Sequence, residues 1–249
     1  MKKYSSVFAM IARCSLYKNL LVAFFMVLVQ LFLFLLKFQK YEDIGLWTLA
    51  GTVRDSYMII PLIAGFVITG IFLAGTGNHR GSNQGYLLNR LQISGNAMVG
   101  LQALYNFFWF VILWAIEVMV LVTAGLIYSL KAADVTSHTL VLSFYSNNLM
   151  HTLLPMKDVV GWFVWVGFLV ALAVFLALFS YRQRTGGLKR LMVPMVLLGV
   201  VVSAFPRGMG SRIDLLTVSA LVFLYGLLIK EFTEIREKGG KENEWIENS

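Results

Sequence analysis

Gly77–Ala97 reads GNHRGSNQGYLLNRLQISGNA. It is polar, holds no acidic residue and lies between two long apolar runs. Before it, Tyr57 to Ala74 is apolar except for Thr69, and after it Met98 to Tyr128 is longer still. A polar loop held between two membrane spans cannot fold away as a free domain, so whatever presses on it presses on both helices. Within it Tyr86, Leu87, Leu88, Leu91 and Ile93 place apolar groups on one side of a short helix, with Arg90 beside them.

The composition explains why the flanking runs read as spans. Of the 249 residues, 58% are hydrophobic and 14% charged, and the mean hydropathy is +0.74. A soluble domain carries about 25% charged residues. The apolar residues fall in runs near the roughly 20 that a hydrocarbon core of about 30 Å asks of a helix. The alternating segments of roughly ten residues that barrel strands would show are absent. One cysteine, Cys14, excludes an internal disulfide and leaves no thiolate metal site.

The expected fold is therefore an all-α membrane protein, one transmembrane domain over residues 1–249, with six transmembrane helices. Met1 to Lys18 reads as an amphipathic elbow helix on the membrane surface, with Tyr4, Val7, Phe8 and Ile11 on one face and Lys2, Ser6 and Arg13 on the other. The alternative is a cytosolic extension of the first span. Spans follow at Asn19–Leu36, Ser56–Gly75, within Met98–Ser129, at Val159–Ser180, Leu191–Phe205 and Ile213–Ile229. Leu140–Met156 reads as an interfacial helix, because Ser146, Asn147 and Asn148 interrupt it. The tail, residues 230–249, is charged and predicts helix near Glu231–Lys238 with disorder beyond. With both termini in the cytosol, fourteen Lys and Arg fall on inner segments and seven on outer ones, as the positive-inside rule expects. The location implied is the cell membrane, multi-pass.

No pattern here predicts catalysis. HExxH, GxSxG and GxxxxGK[ST] are all missing, and His79, His138 and His151 are scattered over loops. The expectation is a non-enzyme that binds no metal and no cofactor of its own. Glu117, in WAIEVMV, falls near the middle of the third span. A bare carboxylate at that depth is costly, and no Lys or Arg lies mid-span to meet it. Its partner must be a proton, a polar group, a second subunit or a cationic cargo. Glu117 is thus a candidate pathway or cargo residue, while Gln30 and Asn106 read as helix-to-helix hydrogen-bond partners.

Taken together, the elbow, the six runs and the loop GYLLNRLQIS resemble the permease subunits of bacterial type 2 ATP-binding-cassette (ABC) exporters. That family commonly has an acid, an aromatic, leucines and an R-L-P-I/V-S end in this loop. Tyr86, Leu87, Leu88, Arg90, Leu91, Ile93 and Ser94 match it. Gln92 stands where a proline is usual, and Asn83 and Gln84 where an acid is often found. The resemblance implies that residues 77–97 form a coupling helix seated on a separate ABC ATPase subunit, through Tyr86, Leu87, Arg90, Leu91, Gln92 and Ile93. It implies ATP and Mg on that partner, a second permease completing a homodimer or heterodimer, and a second contact at Tyr181–Arg190. Glu117 and the aromatics around Trp109, Trp114, Trp162 and Trp165 would suit an amphipathic cationic cargo, as in exporters of phenol-soluble-modulin-like cytolytic peptides, or drugs. The rival readings are an ion-gradient-driven secondary transporter, which would show broken helices with ionisable residues at the midplane, and a membrane scaffold.

Overall fold

A computed structural model describes residues 2–42, 48–75, 95–131, 137–155, 158–184 and 211–247. Every regular element among them is helical, and the chain is a multi-pass membrane protein. Three helices are long and apolar enough to cross a bilayer: Ser15–Lys40, Gly95–Lys131 and Val159–Gln183. A bent pair, Leu49–Asp55 with Ile59–Ala74, makes a fourth if it is counted as one span.

The six-span expectation is therefore corrected to three, or four with the bent pair, among the described residues. Leu191–Phe205 lies outside the described residues. Ile213–Ile229 is no separate rod, but the first part of a helix that runs on from Ser211 to Glu247. Both runs fall short of the roughly 20 residues a crossing requires, and counting apolar runs alone gave them spans. The placement of both termini on one side rested on that count and goes with it.

The separate N-terminal elbow is corrected as well. α1 is one uninterrupted helix, Lys2–Glu42. No Gly or Pro occurs before Gly45, so nothing in the sequence stops the hydrogen-bond ladder between Arg13 and the apolar stretch. At 1.5 Å per residue α1 is about 60 Å long, twice the hydrocarbon thickness, and residues 2–14 extend the span.

α2 (Leu49–Asp55) and α3 (Ile59–Ala74) meet at 55°. Pro61 explains the break. It has no N–H to offer the Tyr57 carbonyl, and in a continuous helix its ring would clash with that same group. The Tyr57 carbonyl accepts from the Ile60 N–H instead, at 3.0 Å. Tyr57 itself takes φ 54°, the left-handed region that non-glycine residues avoid. Thr48 caps α2, its hydroxyl accepting from Gly51 N–H at 3.2 Å.

α4 (Gly95–Lys131) is the hub, packed on α1, α3 and the later helices. Its buried positions Met98, Gln102, Tyr105, Trp109, Leu113, Glu117, Val120, Ala124 and Tyr128 recur every three or four residues, one stripe of a helix turned to the core. The expected interfacial helix is two short ones, α5 (Ser137–Ser146) and α6 (Asn148–Leu153). Asn147 separates them. Its Oδ1 accepts from the N–H groups of Leu149 and Met150, and its Nδ2 donates to the Ala50 carbonyl at 2.9 Å. α6 is thereby tied to α2.

α7 (Val159–Arg184) is the most enclosed of the spans. α8 (Ser211–Glu247) lies beside it in the same direction. Tyr225 donates to the Gly167 carbonyl, and further on Arg182 pairs with Glu231 and Glu234. The described charged tail continues as helix through Glu247, beyond the Glu231–Lys238 expected from its pattern.

Candidate functional site: a buried polar junction in the membrane

The mid-membrane polar residues of α1 and α4 meet. Glu117 and Gln30 are wholly buried. The Gln30 side chain Nε2 donates to Glu117 Oε2 at 2.7 Å and to the Met58 carbonyl at 3.1 Å. Both amide hydrogens of Gln30 are thus committed. The other two acceptors, Gln30 Oε1 and Glu117 Oε1, have no partner among the described residues. Among the described residues no Lys or Arg meets the carboxyl group there, and the bond from Gln30 is its one hydrogen bond.

Met58 makes this junction more than a helix pair. It is the last residue of the break between α2 and α3 and caps the start of α3. Its carbonyl also accepts from Leu62 N–H, at 3.4 Å. One glutamine therefore joins an ionisable side chain on the hub to the bend in the neighbouring span. Buried polar groups of this kind are costly unless paired, and here both the carboxyl group and the bend draw on the same amide.

Asn106 is also fully buried and donates to the Ala173 carbonyl at 3.1 Å, linking α4 to α7. Ser15 and Tyr105 share a 2.8 Å hydrogen bond between α1 and α4. Asn19 is wholly buried on α1 with both amide atoms unpartnered among the described residues.

The aromatics divide into two groups. Trp114 lies 5.9 Å from Trp162 and 5.3 Å from Trp165 between ring centres, and its indole N–H donates to the Leu153 carbonyl. Trp109 is buried against Tyr105, whereas Phe108 and Phe163 face outward.

Tyr86, Leu87, Arg90, Leu91, Gln92 and Ile93 lie outside the described residues, and so does most of Tyr181–Arg190. The roots of both loops are described, and they touch. A Cβ built on Gly95 would stand 2.5 Å from Tyr181 Oη, so the first residue of α4 has no room for a side chain. Next to Tyr181, Arg182 is held by Glu231 and Glu234 of α8. Lys18 sits over the Phe72 ring, 5.8 Å from its centre, near the end of α3. Among the described residues no three His, Cys, Asp or Glu side chains come together to hold a metal ion.

The sequence reading placed Glu117 mid-span and named Gln30 as a helix-to-helix partner, but did not join the two. The carbonyl of Met58 was missed. Pro61, which denies the Tyr57 carbonyl its usual donor, was the signal for a break in this span, but nothing in the sequence pointed to the carbonyl of Met58. No protein-family model, no curated protein and no solved structure matches the chain.

Proposed function

We propose that this chain is the membrane-spanning subunit of an ATP-driven exporter of the type 2 ABC class, worked by a separate ATPase subunit that docks on residues 77–97. The observation that supports this reading most is the seat of that loop. It opens directly into α4, the helix that packs on most of the others and carries Glu117. Its root is pressed on the end of α7, where the second basic loop begins. A push on residues 77–97 would reach the buried junction through one rigid helix, and α7 would move with it. The chain itself performs no chemistry in this scheme; it converts closure of the ATPase pair into movement of amphipathic peptide or drug cargo, beside a second permease.

The test is copurification of the full chain with a P-loop ATPase, before and after Tyr86, Arg90 and Leu91 are changed together to Ala. Loss of the ATPase in the triple variant, with the chain still in the membrane, is the expected result. Retention of the ATPase, or external labelling of a cysteine placed at Arg90 in intact cells, would overturn it.

A second reading has its own observation. A span broken at 55° beside a buried carboxyl group is the arrangement an ion-gradient-driven transporter uses to bind its coupling ion. Proton-gradient-dependent uptake by the purified chain alone, abolished by Glu117→Gln, would favour that reading over the exporter.

A further inference from the structure

Between α1 and the broken span lies a groove of about 800 Å³. Its walls are apolar, with Phe25 and Val29 on one side and Ile60, Ala64 and Ile68 on the other. Phe25 and Ile60 are each more than half exposed, so the groove opens outward, to lipid. Along α1 it extends from Leu21 to Lys37, about 24 Å at 1.5 Å per residue. That is most of the roughly 30 Å hydrocarbon core.

One end differs from the rest. Lys37 lines the mouth, at the head-group end of the apolar stretch Ser15–Lys40, and forms no ion pair among the described residues. Tyr57 lines the same mouth, 61% exposed and held at φ 54°. A bulky residue kept in that strained region is the kind of feature found where a ligand is clamped. Below it the floor is closed: a Cβ built on Gly65 would stand 2.6 Å from Met26 Sδ.

We infer that this groove seats an acyl chain of an anionic phospholipid, with the Lys37 ammonium group and the Tyr57 hydroxyl meeting its phosphate. Dimensions decide between a lipid chain and a second helix. A volume of 800 Å³ over that length gives a mean section of about 33 Å², which takes an acyl chain whole, whereas a helix about 10 Å across, roughly 80 Å² in section, would enter only in part. The charge at the mouth decides the lipid class. An ammonium group at head-group depth favours a net negative head group over a zwitterionic one.

The test uses the purified full chain and native mass spectrometry, with phosphatidylglycerol and phosphatidylcholine carrying the same acyl chains. The wild-type chain should retain the anionic lipid about five-fold over the zwitterionic one, the ratio one lysine near the surface provides. Lys37→Gln should bring that ratio to one and leave total lipid retention unchanged. Ala64→Trp, which fills the groove, should remove both lipids; if it lowers the melting temperature, Ala64→Leu takes its place. Arg54→Gln removes an exposed cation of α2 and should leave the ratio as it was. Equal retention by the wild-type chain would overturn the inference, as would a ratio that survives Lys37→Gln or lipid that survives a folded groove-filling variant. Efficient disulfide pairing of two Phe25→Cys chains with no lipid bound would give the groove to a second copy instead.

Discussion

Replacing Gln30 by Leu tests the buried junction most directly. The wild-type amide makes two bonds, 2.7 Å to Glu117 Oε2 and 3.1 Å to the Met58 carbonyl, and all three residues are fully enclosed. Leucine fills similar space and supplies neither donor, so a carboxyl oxygen is left without a partner and the Met58 carbonyl keeps only the 3.4 Å bond from Leu62 N–H. Leaving a buried acceptor unsatisfied costs about 1–3 kcal/mol in soluble proteins. Hydrogen bonds between membrane helices average about 0.6 kcal/mol and reach about 1.7. Two lost bonds, one of them to a carboxyl group, then come to about 2 kcal/mol. Replacing both partners removes the stranded carboxyl group, so Gln30→Leu with Glu117→Leu should lose less than Gln30→Leu alone, with a coupling of about 1 kcal/mol. The assay is unfolding of the purified chain in mixed micelles by increasing fractions of a denaturing detergent, followed by tryptophan fluorescence. If the double variant equals the sum of the singles within about 0.3 kcal/mol, the two side chains are not energetically joined and the link to the bend is wrong.

Three further outcomes are expected in the same assay. Gly95→Ala should lose about 1–2 kcal/mol, because the added methyl meets the Tyr181 ring, and the double variant Gly95→Ala with Tyr181→Ala, which removes the ring, should lose less than the sum of the two singles; strict additivity would mean that the obstruction lies elsewhere. Tyr57→Gly should gain about 1 kcal/mol by releasing the left-handed residue, whereas Tyr57→Val should lose stability; a gain with valine would count against strain at the bend. Asn147→Ala removes the cap of α6 and the bond to Ala50 and should cost about 1–2 kcal/mol, visible also as faster amide hydrogen exchange at Leu149 and Met150.

The helical class and the main runs were legible because apolar length is a one-dimensional property. Met98–Ser129 and Val159–Ser180 lie within α4 and α7, and Asn147 does interrupt the connection between them. Helix continuity was not legible from hydropathy. The polar face of Lys2, Ser6 and Arg13 suggested a separate surface helix, but a helix turns only where its ladder is interrupted, and no residue before Gly45 does that. Pro61 worked the opposite way: it lies in an unbroken apolar run, yet its missing N–H bends the chain where hydropathy sees nothing. At the site, the identity and depth of Glu117 came from the sequence. That Gln30 would reach across from another helix to both Glu117 and Met58 depends on how α1, α3 and α4 are rotated about their axes, and hydropathy does not set those rotations.

The bent span is fastened from outside at two places, by Asn147 at Ala50 and by Gln30 at Met58. One fastening is on α2 and the other on Met58, the last residue of the turn; the first is supplied at the start of the short helix α6 and the second by the longest rod in the bundle. Pro61 keeps this crank bent in any case; the two pins hold the angle between its arms. Any ligand, proton or partner that opens this corner therefore acts through an amide group, and a chain with both pins removed should swing freely at Tyr57.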